Sequence, residues 1–170
     1  MASTLKLEIV TPDGVKLAEP VEQFTAPGVE GEFGVLPQHA PMLTGLTAGI
    51  VTYVQEGQTH SVAIGAGFAE VHEDRAILLT LKFATKDSID AVRVRLELKE
   101  VDEELDRFPG DPASAEFGEL VRRELWAATQ LELHGDPPPP RLRPPEIAFG
   151  ESYKAPEGER EPGEATTETN

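Results

Sequence analysis

Cysteine is absent from this 170-residue sequence, which excludes disulfide bridges, thiolate nucleophiles and cysteine-ligated zinc or iron–sulfur sites. Long apolar runs are also missing: the longest, such as 76–79, fall far short of the ~20 apolar residues that a transmembrane helix needs. The opening MASTLKLEIV has neither the charged start nor the apolar core of a signal peptide. The composition therefore fits a reducing compartment, and we expect no direct insertion into lipid.

Basic residues are scarce, with 15 Lys and Arg against 31 Asp and Glu and a formal net charge of −16. A nucleic-acid-binding protein displaces counterions with clustered basic side chains, and the sequence contains no such cluster. Attraction to anionic lipid is disfavoured for the same reason. The charge therefore argues against nucleic acid and lipid as partners, and it identifies no partner by itself.

Glycine, proline and β-branched residues are distributed unevenly along the chain. Residues 1–86 are rich in β-branched residues, residues 87–134 contain only two glycines, and residues 135–170 contain eight of the fifteen prolines. We interpret these zones as a β domain, a helical hairpin and a disordered, acidic, Pro-rich tail. Two interpretations of the tail stay open. It is a plain solubilising segment, or it contains a short docking motif made of Ile147, Phe149 and Tyr153.

The first zone shows the period of half-buried β-strands. In TLKLEIV, Leu5, Leu7 and Ile9 alternate with polar residues. Similar stretches, separated by Gly, Pro, Asp and Glu, are VEQFTAP, GIVTYVQ, HSVAIG, GFAEV and RAILLTLKF. In GEFGVLPQHAP, residues 31–41, we expect Phe33, Val35 and Leu36 to anchor a strand in the sandwich. About eight to ten short strands in this length are typical of an antiparallel β-sandwich or flattened barrel.

The second zone changes to a helical period. We predict that Asp87 or Ser88 caps a first helix that begins near Ile89, with Asp90 in its first turn. Its apolar stripe is Val94, Leu98, Val101, Leu105 and Phe108. The opposite faces are charged, so the stripe must find a surface to pack against.

The break PGDP, residues 109–112, separates this helix from a second one. We predict that Asp111 is the N-cap, that Pro112 takes the first helical position, and that the helix ends near Gly135. Its apolar residues are Phe117, Val121, Leu125 and Ala128. A break this short favours an antiparallel hairpin, which must pack on the β domain or on a partner.

Catalytic and metal-binding patterns are missing from the sequence. The motif G-x-S-x-G does not occur, and GAGFAE at 65–70 lacks the third glycine of a dinucleotide-binding loop. We interpret GAGFAE as a bulge or tight turn that needs a small side chain. The histidines have no metal-ligand spacing and are His39, His60, His72 and His134. We therefore expect a non-catalytic protein without a resident cofactor or metal.

Three segments together resemble the epsilon subunit of bacterial F-type, proton-translocating ATP synthases. They are EGEFGVLPQHAPMLTGLTAGIV at 30–51, GAGFAEV at 65–71 and KDSIDAVRV at 86–94, and the resemblance covers about residues 3–134. It implies a non-catalytic subunit of the central stalk, or rotor, which couples proton flow through the c ring to ATP synthesis. Such a subunit is peripheral, on the cytoplasmic face of the bacterial inner or plasma membrane.

The resemblance also implies partners for each part of the chain. The β-sandwich binds the gamma subunit and rests on the c ring, through Glu30, Gly31, Glu32 and the start of the turn that contains His39. The hairpin lies folded on the sandwich in one state. In the other state it extends toward the alpha and beta subunits and restrains ATP hydrolysis. Because this hairpin is more acidic than basic, we expect inhibition that is weak or that depends on Arg122, Arg123 and the tail.

Some members of this family bind regulatory ATP through an [IL]-D-x-x-R-A motif at the start of the first helix. Ile89, Asp90 and Arg93 match this motif here, while Val94 replaces the alanine. Basic residues of the second helix would have to help, and Arg122 and Arg123 are the candidates. This is the only cofactor that the resemblance implies.

Two other classes of function stay open at this point. A free-standing β-sandwich adaptor would bind a sugar or peptide, although the single tryptophan, Trp126, falls on the second helix and not on the sandwich. A small hydrolase is disfavoured, because no catalytic constellation is present.

Overall fold

A computed structural model describes residues 3–139 of the chain. The tail beyond residue 139, for which a solubilising role and a docking motif were both left open, lies outside the described residues. The strands are β1 (Leu5–Thr11), β2 (Gly14–Val21), β3 (Gln23–Gly28), β4 (Gly31–Val35), β5 (Met42–Leu46), β6 (Gly49–Gln55), β7 (Gln58–Ile64), β8 (Gly67–His72), β9 (Arg75–Thr80) and β10 (Phe83–Thr85). A 3₁₀ turn at Lys86–Ser88 leads to the helices α1 (Ala91–Asp106) and α2 (Ala115–His134).

The strands form one sheet that folds over on itself. Its order is β10-β7-β6-β3-β5-β8-β9-β1-β2, with β4 added beside β3. The pairings in the described chain are antiparallel except that of β1 with β9. Distant parts of the sheet meet where Gln55 of β6 donates a hydrogen bond to Glu19 of β2 over 3.1 Å. The predicted sandwich or flattened barrel with a helical hairpin is therefore confirmed.

Strand positions differ from the prediction in the Gly- and Pro-rich parts of the chain. RAILLTLKF divides into β9 and β10, because the Thr80 hydroxyl binds the carbonyls of Gly65 and Lys82 at 2.9 and 3.1 Å and ends the ladder. Two further strands, β2 and β5, lie in segments for which we predicted no strand. Their glycines and prolines conceal the period-2 pattern.

The core of the sandwich comes from the alternation of side chains along each strand. Leu5, Leu7 and Ile9 of β1 are all buried, as the sequence predicted. They meet Leu78 of β9 and Val71 of β8 from the same inner face. This cluster contains only residues of the strands, so the sandwich has a hydrophobic core of its own.

Glu8 of β1 is the buried acid of the outer sheet face. Its carboxylate lies 3.0 Å from Lys6 Nζ and 2.5 Å from Arg75 Nε. Two hydrogen bonds lower the pKa of Glu8 below its ordinary value of 4.5; the one to Lys6 has the larger effect and the one to Arg75 the smaller. Partial desolvation of the carboxylate acts in the opposite direction and raises the pKa. The ionised form of Glu8 is therefore favoured in the folded state.

The lowered pKa of Glu8 makes a prediction about acid stability. A carboxylate with a lower pKa in the folded state stabilises the fold above its unfolded pKa, and this contribution is lost as the pH falls through the folded value. We expect the free energy of unfolding to fall below about pH 4.5, and to fall less in Glu8→Gln. Urea denaturation of both proteins at several pH values measures this. Equal pH dependence in the two proteins would contradict the assigned ion pairs.

The N-termini of both helices differ from the prediction by a few residues. Asp90 is the N-cap of α1, with its carboxylate accepting from the Arg93 amide at 3.1 Å, because the 3₁₀ turn already uses residues 86–88. Ser114 is the N-cap of α2 and accepts from the Phe117 amide. Asp111 instead closes the preceding turn by accepting from the Ala113 amide. The predicted end of α2 is confirmed at Gly135, where φ is 101°.

The hairpin lies folded against the sandwich. At its far end, Val101, Leu105 and Val121 form a buried cluster with the edge-to-face rings of Phe108 and Phe117, whose centroids are 5.2 Å apart. At its near end, a second cluster joins helices and strands: Ala63, Ala84, Ile89, Val94, Ala127, Leu131 and Leu133. The predicted stripe is buried at Val94, Val101 and Leu105 and half-buried at Leu98 and Phe108. In the described part of the chain, neither helix has the length and hydropathy to cross a bilayer.

Candidate partner-binding surfaces

An exposed acidic turn connects β3 to β4. Val29 and Glu30 form its tip, Gly28 pairs with Gly31 across it, and Gly31 has φ of +126°. Glu30 and Glu32 are exposed. The Val29 amide donates to the Gly45 carbonyl at 3.0 Å, which fixes the turn beside β5. The turn therefore presents two carboxylates on a rigid support.

The loop after β4 lies at the other end of this strand. β4 has five residues, so about 13 Å of extended chain separates the Glu30–Glu32 turn from the loop that contains His39. His39 Nδ1 bonds the Ala40 carbonyl at 2.8 Å. The structure thus does not bring His39 together with the acidic turn, although the sequence analysis grouped them in one contact.

Gln38 takes the left-handed conformation in this loop, with φ of 65°. Its amide donates to the Asp74 carboxylate in the β8–β9 turn at 2.5 Å, which holds the loop in place. Of the predicted anchors, Val35 is fully buried and Phe33 packs edge-on against Phe24, but Leu36 is 57% exposed. The expectation for Leu36 was wrong, because the chain leaves β4 at Val35 and turns this side chain outward.

An apolar surface covers the outer side of β5, β8 and β9. Phe68 of β8 pairs with Gly45 on one side and with Leu79 on the other, and Val29 lies over Gly45. Its exposed members are Val29, Leu43, Phe68, Leu79 and Leu81, and we call this set the outer apolar face. Phe68 is 62% and Leu81 67% exposed, so these side chains contribute little to the core. Exposed apolar clusters of this kind mark interaction sites.

A groove separates α2 from the sandwich beside the outer apolar face. We define the α2 groove by its lining: Leu46, Thr47, Ala48, Gly65, Ala66, Leu81, Lys82, Glu119, Arg122, Leu125 and Trp126. Lys82 Nζ lies 5.7 Å from the centre of the Trp126 ring, a cation–π distance. Arg122 forms an ion pair with Glu119 at 2.7 Å. The groove has a volume of about 130 Å³ and shares Leu81 with the outer apolar face.

The structure separates the residues proposed for regulatory ATP. Ile89 is buried, the Asp90 carboxylate caps α1, and Arg93 is exposed. They lie near the end of α2, because Arg95 pairs with Asp136 at 2.6 Å.

Arg122 and Arg123 lie farther along the hairpin. Arg123 pairs with Glu104 near the end of α1 at 3.4 Å. Arg122 precedes Asp136 by 14 residues, about 20 Å along the helix axis. In this conformation the two arginines are therefore outside any site at Asp90, and regulatory ATP stays a prediction from the resemblance. No group of His, Asp or Glu within residues 3–139 is arranged to hold a metal ion.

Comparison with known proteins assigns the family. The model of the ATP synthase Delta/Epsilon chain β-sandwich domain matches residues 4–86. The ATP synthase epsilon chain of Carboxydothermus hydrogenoformans is 42% identical over 107 residues, 63% of this chain and 80% of the relative. That of Trichlorobacter lovleyi is 43% identical over 126 residues, 74% of this chain and 91% of the relative. The chain belongs to the ATP synthase epsilon chain family.

Solved structures share the fold of this epsilon chain. A chain of the Euglena gracilis mitochondrial ATP synthase matches with a TM-score of 0.58 and 24% identity, covering 78% of each chain. A chain of the Tetrahymena thermophila mitochondrial ATP synthase matches with a TM-score of 0.50 and 13% identity, covering 78% of this chain and 97% of that one. Epsilon is a non-catalytic subunit of a membrane-associated rotary complex, as the sequence analysis expected. The alternatives of a free-standing adaptor and a hydrolase are therefore set aside.

The outer apolar face of this epsilon chain was not predicted from its sequence. A signal was present in AILLTL, residues 76–81, where apolar residues occupy both phases of the alternation. One phase, with Ala76 and Leu78, faces the core, whereas Leu79 and Leu81 face outward. A strand with apolar side chains on both faces is favoured where both faces are buried, and the core of the sandwich buries only one of them.

Proposed function

We propose that this chain works in the central stalk of a bacterial F-type ATP synthase, where it helps couple proton flow through the c ring to ATP synthesis. The observation that carries the proposal is the outer apolar face beside the rigid acidic turn, on a sandwich of the epsilon family. The structures that share the fold belong to assemblies described as F1 with c ring and as central stalk with c ring. The subunit is peripheral, on the cytoplasmic face of the inner or plasma membrane.

In this proposal, gamma and the c ring bind different surfaces of the sandwich. The outer apolar face binds the gamma subunit, because an extended apolar surface suits a long-lived contact within a rotor. The turn of Glu30, Gly31 and Glu32 rests on polar loops of the c ring. His39 is at the far end of β4, so it reaches the ring only if the contact extends along this strand.

Co-purification tests this proposal directly. The full chain, co-expressed with gamma from the same genome, is expected to elute with gamma as a stoichiometric complex. Addition of the c ring should then give a ternary complex that Glu30→Lys with Glu32→Lys weakens, while gamma binding persists. Separate elution of the full chain and gamma would overturn the proposal.

The hairpin is the regulatory part in this proposal. Its contact with the sandwich relies on small side chains, including Ala63, Ala84 and Ala127, so the docked and released states can differ by only a few kcal/mol. Released, it extends along gamma toward the alpha and beta subunits. Acids outnumber bases in residues 87–134, and like charges oppose deep insertion into an acidic surface.

Removal of the hairpin tests its inhibitory strength. A chain truncated after Lys86 is expected to change ATP hydrolysis by less than about twofold, because the exposed acidic side chains make few favourable contacts. The sandwich has its own core, so the truncated chain should still bind gamma, and this binding serves as the control. Hydrolysis that rises several-fold on truncation would show strong inhibition and contradict the prediction.

A further inference from the structure

The α2 groove is an apolar site that residues 3–139 leave open. Leu81 in its wall is 67% exposed, and Trp126 is only half-buried. Lys82 forms no ion pair within the described part of the chain, and Arg122 is balanced by Glu119. The groove thus combines apolar walls with one uncompensated positive charge, on a chain whose net charge is −16.

The chain itself contains a segment with the complementary chemistry. Residues 146–153, EIAFGESY, place Ile147, Phe149 and Tyr153 among two glutamates and no base. These are three of the four large apolar residues in 136–170; the fourth is Leu142. An acidic segment with apolar anchors fits a groove that has apolar walls and a lysine at its rim.

The length of the connection allows this segment to reach the groove. Gly135 follows Trp126 by 9 residues and Arg122 by 13, which is about 14 to 20 Å along the helix axis. Ten residues, 136–145, connect the end of α2 to the segment, and six of them are proline. In a polyproline conformation ten residues span about 31 Å, enough to return along the outside of α2.

We propose that residues 146–153 bind the α2 groove of the same chain, with Phe149 and Ile147 against Leu81 and Trp126 and with the acidic side chains toward Lys82. The occupant is an internal segment, so its effective concentration is high and a weak contact suffices. Since Leu81 belongs to both surfaces, the bound segment also covers one edge of the outer apolar face. The effect of this coverage on gamma binding rests on the proposed function, whereas the binding of the segment to the groove does not.

Paramagnetic labelling tests the proposal, and the absence of cysteine makes single-site labelling simple. A nitroxide on Ser152→Cys in the full chain is expected to reduce the amide signals of Ala66, Leu81 and Trp126 by about half or more if the bound state dominates. The same label on Thr166→Cys, beyond the segment, is the control. In the Ser152→Cys background, Phe149→Asp should restore the signals and Leu142→Ala should not.

Three results would overturn the proposal. Unchanged groove signals would show that the segment binds elsewhere or not at all. Signals reduced equally by the two labels would show unspecific proximity. Signals reduced only when labelled chains are mixed with isotope-labelled chains would identify a second copy as the occupant.

Gamma binding separates this proposal from the proposed function. If the segment occupies the groove in most molecules, Phe149→Asp should tighten gamma binding about three- to tenfold, because gamma no longer competes with it. Gamma binding that is normal in every variant would leave the rotor function intact and limit the proposal to the groove. Loss of gamma binding in the unmodified chain would instead overturn the proposed function, whatever the labels show.

Discussion

Replacement of Gly67 by alanine is expected to destabilise the sandwich by about 3 kcal/mol or more. A Cβ atom at this position would lie 1.8 Å from the Leu79 carbonyl oxygen and 2.9 Å from Thr80 Cα. Both obstacles are backbone of the paired strand β9, so no side-chain rotation relieves the overlap. β8 and β9 would have to separate at Gly67, the first residue of β8, where Ala69 and Val71 of the same strand are core residues.

Gly34→Ala is the matched control for this substitution. Gly34 also lies in a strand, but the nearest atom to its added Cβ is Thr25 Cγ2 at 3.9 Å, which is ordinary contact. We expect its effect to stay within about 1 kcal/mol, because alanine in an open strand position costs little. Urea denaturation followed by circular dichroism gives both values. Equal midpoints for the two variants would contradict the close approach of β8 to Leu79.

Gly67 also shows how far sequence reasoning could go. The pattern GAGFAE predicted a place where only a small side chain fits, and the structure has such a place at Gly67. The sequence could not say which glycine matters, because the obstacle is the backbone of Leu79, twelve residues away along the chain. Local patterns reveal a constraint, whereas the pairing of strands decides which residue carries it.

The same limit applies to the residues proposed for regulatory ATP. Arg122 and Arg123 were chosen because they are the basic pair of the second helix, and the spacing of one helix does not fix its register against another. That register comes from apolar packing at both ends of the hairpin, which places Arg123 beside Glu104. Sandwich strands with a clean alternation, such as β1 and β6, were predictable because each residue's side follows from its position alone.

The outer apolar face illustrates what a single chain leaves unexplained. Leu43, Phe68 and Leu79 follow the outward phase of β5, β8 and β9, and none of them belongs to the core of the sandwich. Phe68 is exposed, and its neighbours on the adjacent strands are Gly45 and Leu79. In this position it adds little to the stability of the sandwich in water. An apolar residue at this position is explained if a partner buries the outer apolar face, which is the role that the proposed function gives to gamma.

Phe68→Asp is therefore expected to weaken gamma binding by about 30- to 1000-fold, or about 2 to 4 kcal/mol, the range of an aromatic hot spot at an interface. The substitution removes the largest side chain of the face and would bury a carboxylate against Leu79. Stability of the isolated subunit should change little, since Phe68 is 62% exposed.

Val92→Asp supplies the control for this last prediction, because Val92 is similarly exposed, at 66%, but lies on α1 and not on the sheet. Titration calorimetry of gamma with both variants, after each is shown to unfold at the same urea concentration as the unmodified chain, measures the difference. If Phe68→Asp and Val92→Asp bind gamma equally well, gamma does not use this face. The apolar surface would then need another partner, since its exposure to water stabilises nothing in the subunit alone.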